Sequence, residues 1–563
     1  MMVASSLTGC FTIDEGNVSA ENQAPTNLLF SEDEFPENSY GTVATISVVD
    51  QDLAEVFSFE VSDSRFEIDK NANLKIKKGS VLDYEEEKEV TITVTVTDSF
   101  ANRYSEDFTI EVVNKPDTYE FENRALEESS VSYTGQIARH VLIKELDMYI
   151  ASGLKADIES GDVTTREQAL EKLMFFYKTT EDSYETSLGQ HPISIVTEPA
   201  IKQTVLADIS SSPKDLFGKV AGNDVEGQHK DWSTEFVAFG AKGSQSPSEL
   251  IEALFGEIAD NAAAGTRQDS MGNDIDMVYL ASDGRDLKQL VNKILLGSVA
   301  YSQATDDYLD DDDEGKGLLA DNSALVTGQS YTSLEHQFDE GAGYFGASTY
   351  YFTTIGETVT NGLVSKDINE DGMIDLVSEY NFGYSEILPK RDLAVFMAEN
   401  DNSTRFSFRT SKGLLEGRDT IAETHVNALV ENQMITLTQK RDAAILAWEQ
   451  GIAATIIHHI NNSVSDYGKW DTDEFSYKEL AMNWSALKGF LINLQFNPNA
   501  VMTASDLEIL NTSIGDAPVL TTDEAVAAYV VTLEAARTKI QEVYAAGSDS
   551  NAEFFDDANV AAF

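Results

Sequence analysis

Seven residues, Val90-Thr91-Ile92-Thr93-Val94-Thr95-Val96, alternate β-branched apolar and polar side chains without a break. That period of two places every second side chain on one face, so the segment is a half-buried strand and needs a second apolar layer to cover it. Phe108-Thr109-Ile110-Glu111-Val112 repeats the pattern one turn later. Beyond residue 120 the alternation stops and a period of 3.6 replaces it. Thr164 with Glu167 reads as a capping box ahead of Leu170, Leu173 and Met174, and Ser246, Pro247 and Glu249 play the same part before Leu250, Leu254 and Ile258. From Asp286 to Tyr301, Leu287, Leu290, Val291, Ile294, Leu295 and Val299 share one face, and Thr521 with Glu524 starts another long helix. In the helix expected from Arg441 to Asn462, Ile445, Trp448, Ile452, Ile456 and His459 form a buried stripe. The chain is therefore multidomain: a sandwich of short strands, then a large, mainly α helical bundle of at least six helices.

The strand-rich part carries a run of landmarks in fixed order. They are Pro36-Glu37-Asn38, Gly41-Thr42-Val43, Val49-Asp50-Gln51-Asp52, Phe66-Glu67-Ile68-Asp69, Leu82-Asp83-Tyr84-Glu85 and Thr91 through Asp98. The run resembles a cadherin repeat over residues 25–117, which implies an all-β Greek-key sandwich with calcium at its ends. On that resemblance Glu37, Asp83 and Glu85 match the calcium ligands at one end, and Asp50 and Asp52 match the pair facing the opposite linker. The linker Val113-Asn114-Lys115-Pro116-Asp117 departs from the family by placing a lysine among the ligands, which leaves Asn114 and room for one site in place of three. The same residues also suit a solvated acidic rim.

Composition narrows the function classes. With 97 acidic against 39 basic residues among 563, the net charge of −58 repels nucleic acid and anionic lipid and attracts divalent cations. The acids are spread along the chain, as in a protein exported into salt. The single cysteine, Cys10, closes Leu7-Thr8-Gly9-Cys10, the form of a bacterial lipobox, so residues 1–24 read as a truncated signal with lipobox and linker. Met1 to Ser6 is too short for a signal peptide, so either the start has been placed late or the match is accidental. One cysteine allows no intramolecular disulfide, and no run of eighteen apolar residues spans a membrane. The membrane is reached only through the lipid, on the outer membrane, the cell surface or the periplasmic side.

Three places in the helical part offer cation chemistry. Asp367-Ile368-Asn369-Glu370-Asp371-Gly372-Met373-Ile374-Asp375 has the D-x-N-x-D-G-x-x-D spacing of calcium loops. Asp367, Asn369 and Asp371 would give side-chain oxygens, Met373 a carbonyl and Asp375 an acid, with Gly372 at the sharp turn and Glu379 one place beyond the usual final ligand. The loop, near 367–379, reads as a structural calcium clip. His336, Asp339 and Glu340 fall at i, i+3 and i+4 of one helix, a spacing that can hold a transition metal such as iron or zinc. Asp306-Asp307-Tyr308-Leu309-Asp310-Asp311-Asp312-Asp313-Glu314 crowds carboxylates at a helix C-terminus, against the macrodipole, and reads either as a cation site or as a solvated acidic loop.

Tyr133-Thr134-Gly135-Gln136, Gly222-Asn223-Asp224, His229-Lys230-Asp231-Trp232, Thr305 through Tyr308, the His336 helix, Ser378 through Gly383 and Leu494 through Pro498 resemble an uncharacterised bacterial domain family over most of residues 118–563. That family is similar in turn to the imelysins, exported helical bundles linked to iron uptake through a Gly-x-His-x-x-Glu motif. The resemblance implies that His336 takes the place of the motif histidine, with Asp339 where the glutamate would stand. It implies a metal ion or metal complex as ligand, and an outer-membrane transporter or surface protein as partner. Alternatives are a calcium-dependent adhesion or matrix protein and a metal-dependent peptidase. The chain lacks the His-Glu-x-x-His arrangement of many zinc peptidases, and no hydrolytic triad or phosphate loop is legible, so the enzyme reading is the weaker one.

Overall fold

The computed structural model describes residues 22–37, 41–52, 56–77, 80, 82–84, 87–123, 126–179, 184–224, 228–393, 406–545, 555 and 557–563. Cys10 and Glu85 lie outside them. The chain divides into two compact units between Lys115 and Pro116.

The first unit is built from β1 (Asn27–Phe30), β2 (Glu34–Pro36), β3 (Gly41–Val49), β4 (Ser58–Val61), β5 (Phe66–Ile68), β6 (Asn73–Ile76), β7 (Glu89–Thr97) and β8 (Arg103–Val113). They form two four-stranded sheets in the orders β1-β3-β6-β5 and β2-β8-β7-β4. The β5–β6 and β7–β8 hairpins each sit beside strands distant in sequence, β3 next to β6 and β2 next to β8, the Greek-key type of connection in a β-sandwich. The alternation of β7 sets the core. Val90, Ile92, Val94 and Val96 are each at most 1% exposed and pack with Leu28, Phe66, Leu74 and Val112 from both sheets, while the intervening threonines face outward. Outward Thr91 and Thr109 pair across the β7–β8 ladder at 3.1 Å.

One turn chemistry serves three hairpins. In Asp69–Asn73, Asp98–Asn102 and Asp269–Asn273 the aspartate accepts two backbone N–H groups from within the loop, and the asparagine amide donates back to its other oxygen at 3.0–3.1 Å. The residue before the asparagine takes positive φ in each case: Ala72 (61°), Ala101 (68°) and Gly272 (87°). The aspartates satisfy peptide groups that the tight turn would otherwise strand.

The second unit is mainly helical. Its principal helices are α1 (Thr134–Met148), α2 (Arg166–Tyr177), α3 (Pro247–Ala263), α4 (Leu287–Leu295), α5 (Ser333–Gly343), α6 (Tyr351–Asn361), α7 (Phe406–Ala422), α8 (Glu431–Tyr467), α9 (Tyr477–Asn493), α10 (Ala504–Ile514) and α11 (Asp523–Ala545). The 37-residue α8 is the centre of the bundle and packs on α7, α9 and α11. Its stripe of Trp448, Ile452 and Ile456 is fully buried, whereas His459 ends the stripe as a partly buried ring hydrogen-bonded to Asn483. Ser246 caps α3 as its spacing predicts. At α2 and α11 the cap sits one residue later than expected: Thr165 pairs with Gln168, and Thr522 accepts from the N–H of Ala525.

The helix expected to end at Tyr301 runs on to Tyr308 through two π-helical segments, Leu296–Tyr301 and Ala304–Tyr308. The first begins where α9 touches the helix. The Asn493 amide donates to the carbonyl of Lys293 at 2.9 Å, taking the acceptor that the N–H of Gly297 would use in an α-helix. Gly297 is required there, because a Cβ would lie 1.9 Å from Asn493 Oδ1.

Candidate cation sites

The loop at 367–375 is held open by its own oxygens. Asp367 Oδ2 accepts from the N–H of Gly372, Asn369 Oδ1 from Asp371, Asp371 Oδ1 from Met373, and Asp375 Oδ1 from Val377, all within 2.9–3.0 Å. Gly372 has φ +83° and Glu370 φ +58°, the left-handed conformations that bend a chain around a central point. Each aspartate thus spends one oxygen on the turn and keeps the other. Asp367 Oδ1 is buried with no donor, and Oδ2 of Asp371 and of Asp375 lie 3.9 and 3.4 Å from the Lys202 ammonium. Glu379, 3% exposed, accepts the N–H groups of Ile368, Asn369 and Asp375, so it braces both ends of the loop. Ile374 is fully buried beneath. The donors are all oxygen, the set that a hard cation such as calcium takes. Among the described residues no three His, Cys, Asp or Glu side chains converge closely enough to hold a metal ion by themselves. A calcium here would therefore complete its sphere with Asn369, the Met373 carbonyl and water.

The three residues of α5 divide between two environments. His336 stacks on Tyr331, its Nδ1 lies 3.2 Å from the carbonyl oxygen of Ser132, and its Nε2 lies 3.8 Å from Glu340 Oε2. A carbonyl oxygen can only accept, so Nδ1 is the donor in that contact, and Nε2 faces the Glu340 carboxylate. Glu340 Oε1 accepts from the Gln136 amide at 2.8 Å. Asp339 points elsewhere. It is fully buried and accepts from Arg418 Nε at 2.9 Å, from the Tyr119 hydroxyl at 3.0 Å and from the Ser132 N–H at 3.1 Å. The structure thus brings His336 and Glu340 together and gives Asp339 to a buried arginine. Positions i+3 and i+4 stand 100° apart around a helix, enough to part them where two packing partners meet.

The acidic cluster is not one solvated loop. Asp306, Asp307 and Asp310 are buried, and only Asp311 to Glu314 are exposed. Basic partners offset the first two. His229 Nδ1 lies 2.7 Å from Asp306 Oδ2, with its own backbone N–H on Oδ1 at 3.1 Å. Asp307 pairs with Lys316 and lies 3.9 Å from Lys219, which also binds Asp224. Burial pushes all three carboxyls up, Asp310 to about 7, where burial is reinforced by Asp306 and Asp307. Asp310 Oδ1 is buried without a donor. Sequence reasoning noted the Gly222, His229 and Thr305 segments separately. Their meeting at one π-turn carries no local signal, since Asp306 and His229 are 77 positions apart.

At the rim of the sandwich Glu37 is 1% exposed, and its two oxygens accept the N–H groups of Lys115 at 2.7 Å and Tyr84 at 2.9 Å. Asp50 Oδ1 accepts from Asp52, and Asp52 Oδ2 from Gln23. Asp83 directly precedes Tyr84, and Asn114 lies between the end of β8 and Lys115.

Fold and sites define a two-unit protein, a β-sandwich followed by a mainly helical unit rich in buried carboxylates. Within the helical unit, residues 116–375 match the family described as Domain of unknown function (DUF4856). That stretch holds the His336 helix, the π-turn and the calcium-type loop up to Asp375. No curated protein and no solved structure matches the chain. No helix among the described residues is long and apolar enough to cross a membrane.

Proposed function

We propose that this chain is a cation-binding protein of the bacterial cell exterior, lipid-anchored at Cys10, that holds calcium as a structural ion in the 367–379 loop. Its helical unit binds a metal ion or metal complex, with iron uptake as the first assignment and zinc as the other metal, in company with an outer-membrane transporter or surface protein. The observation that carries the calcium reading is the division of labour in the loop: one oxygen of each aspartate fixes the backbone and the other is left over. The iron reading draws on the resemblance of the sequence to the imelysins and is supported by the facing His336 and Glu340, with Gln136 beside them. A second reading, calcium-dependent adhesion, is favoured by the Greek-key order of the sandwich, with Glu37 buried at its rim.

The test is elemental analysis of gently purified full-length chain, followed by calcium titration of chelator-treated protein. One calcium per chain is expected, absent in Asp367→Ala with Asp371→Ala, together with iron or zinc that His336→Ala removes. Calcium retained in the double variant refutes the loop assignment. Calcium alone in both parent and His336→Ala removes the uptake reading and puts adhesion first.

A further inference from the structure

The calcium-type loop is stitched to a distant segment that supplies a cation of its own. Ile374 forms a parallel bridge with Ile201, its N–H donating to Ala200 at 2.9 Å and its carbonyl accepting from Lys202 at 2.8 Å. Gln203 closes the join, donating to Asp375 Oδ1 and accepting from the N–H of Leu376, both at 2.9 Å. The backbone of Ala200–Gln203 is therefore fixed against the loop, and the side chain of Lys202 starts from a fixed root. Its ammonium reaches Asp375 Oδ2 at 3.4 Å and Asp371 Oδ2 at 3.9 Å, the two oxygens those aspartates do not spend on the turn.

We propose that Lys202 is a tethered competitor of calcium: it neutralises Asp371 and Asp375 when no ion is bound and must withdraw when calcium enters, which sets the affinity of the loop. This rests on the calcium reading of the same site. An ammonium and a divalent ion cannot share the same two oxygens, and the lysine side chain, 49% exposed, has water to swing into. Even after withdrawal the charge stays within reach of the ion. Removing one positive charge about 6 Å from a divalent ion in a water-like dielectric corresponds to roughly tenfold in affinity.

The experiment is isothermal titration of calcium chloride into chelator-treated full-length protein, comparing parent, Lys202→Met and Lys202→Arg. The expected result is binding about tenfold tighter in Lys202→Met and near-parental binding in Lys202→Arg. Without calcium, Lys202→Met should also melt below the parent, since Asp371 and Asp375 then face each other uncompensated, and added calcium should reverse the order. Equal or weaker binding in Lys202→Met, with the parent binding calcium, overturns the competitor role and leaves the calcium loop standing. If none of the three proteins binds calcium, both fall.

Discussion

Asp339 was expected to be a metal ligand by its spacing, yet its surroundings give it a structural task whose loss can be worked out. Arg418 is fully buried on α7 and reaches Asp339 at 2.9 Å, Glu335 at 3.1 Å and the Ser130 hydroxyl at 2.7 Å, with its guanidinium 4.7 Å from the centre of the Phe121 ring. Asp339 also takes Tyr119 and the Ser132 N–H, so the pair ties the segment before α1 to α5 and α7. Asp339→Ala removes the carboxylate and leaves a buried guanidinium with Glu335 alone. Breaking one side of a buried pair costs about 3–5 kcal/mol. For a unit of some 450 residues the unfolding entropy is about 0.9 kcal/mol per kelvin, so the midpoint should fall by about 3–5 °C. Asp339→Leu with Arg418→Met removes the stranded guanidinium and should recover part of that loss, the remainder reflecting Glu335, Tyr119 and Ser132, each of which loses a partner. Differential scanning calorimetry of the parent, Asp339→Ala and the double variant reads this directly. If Asp339→Ala melts with the parent and loses bound iron or zinc, Asp339 is a ligand and the clamp argument is wrong.

Two further outcomes follow from the same kind of reasoning. Asp310 titrates near 7 in the folded chain against about 3.9 unfolded, so between pH 4 and 7 the native state holds a proton that the unfolded chain lacks. Its contribution to stability is absent above pH 7 and grows as pH falls across that window. His140 and His458, pushed down to about 4 by burial, act oppositely as pH falls below 6.5. Comparison of the parent with Asp310→Asn at pH 5 and pH 8 isolates the aspartate: the variant should lose part of the acid-side gain, and parallel pH profiles would refute it. In the sandwich, Ala72→Gly and Ala101→Gly relieve a left-handed alanine and should each stabilise by about 0.5–1 kcal/mol, the strain outweighing the added chain entropy, as a higher calorimetric midpoint of that unit would show. An unchanged or lower midpoint would mean that the Asp69 and Asp98 turns already absorb the strain.

What could be seen in the sequence was what is local. The alternation of Val90 to Val96 fixes a strand and its buried face, and the calcium-type loop is nine consecutive residues whose turns are made by their own side chains. The caps at α2 and α11 slipped by one because each start offers two adjacent threonines, Thr164-Thr165 and Thr521-Thr522, and only the folded backbone chooses between them. The first π-segment was illegible for a stronger reason: the side chain that bonds the helix carbonyl at Lys293 belongs to Asn493, 200 positions away. Distance in sequence likewise hid Arg418 from Asp339 and His229 from Asp306, so the spacing on α5 could group His336 with both acids when the fold keeps only Glu340 beside it.

The burial of carboxylates in the helical unit also says where an added cation has most to gain. Asp339 and Glu335 share Arg418, Asp306 has His229, Asp307 and Asp224 share Lys219, and Asp307 also has Lys316. A metal entering at any of these must displace a protein cation that is itself buried or tightly held, and would leave that cation stranded. In the 367–375 loop two aspartates, Asp371 and Asp375, face one lysine that is half exposed and can swing into water. The free-energy cost of making room for an ion is therefore smallest at the loop, and the −58 charge of the chain adds attraction there as it does everywhere. Calcium should bind first at the loop, and the His336–Glu340 pair, with one imidazole nitrogen and one carboxylate, is better matched to a metal that arrives with ligands of its own than to a bare ion.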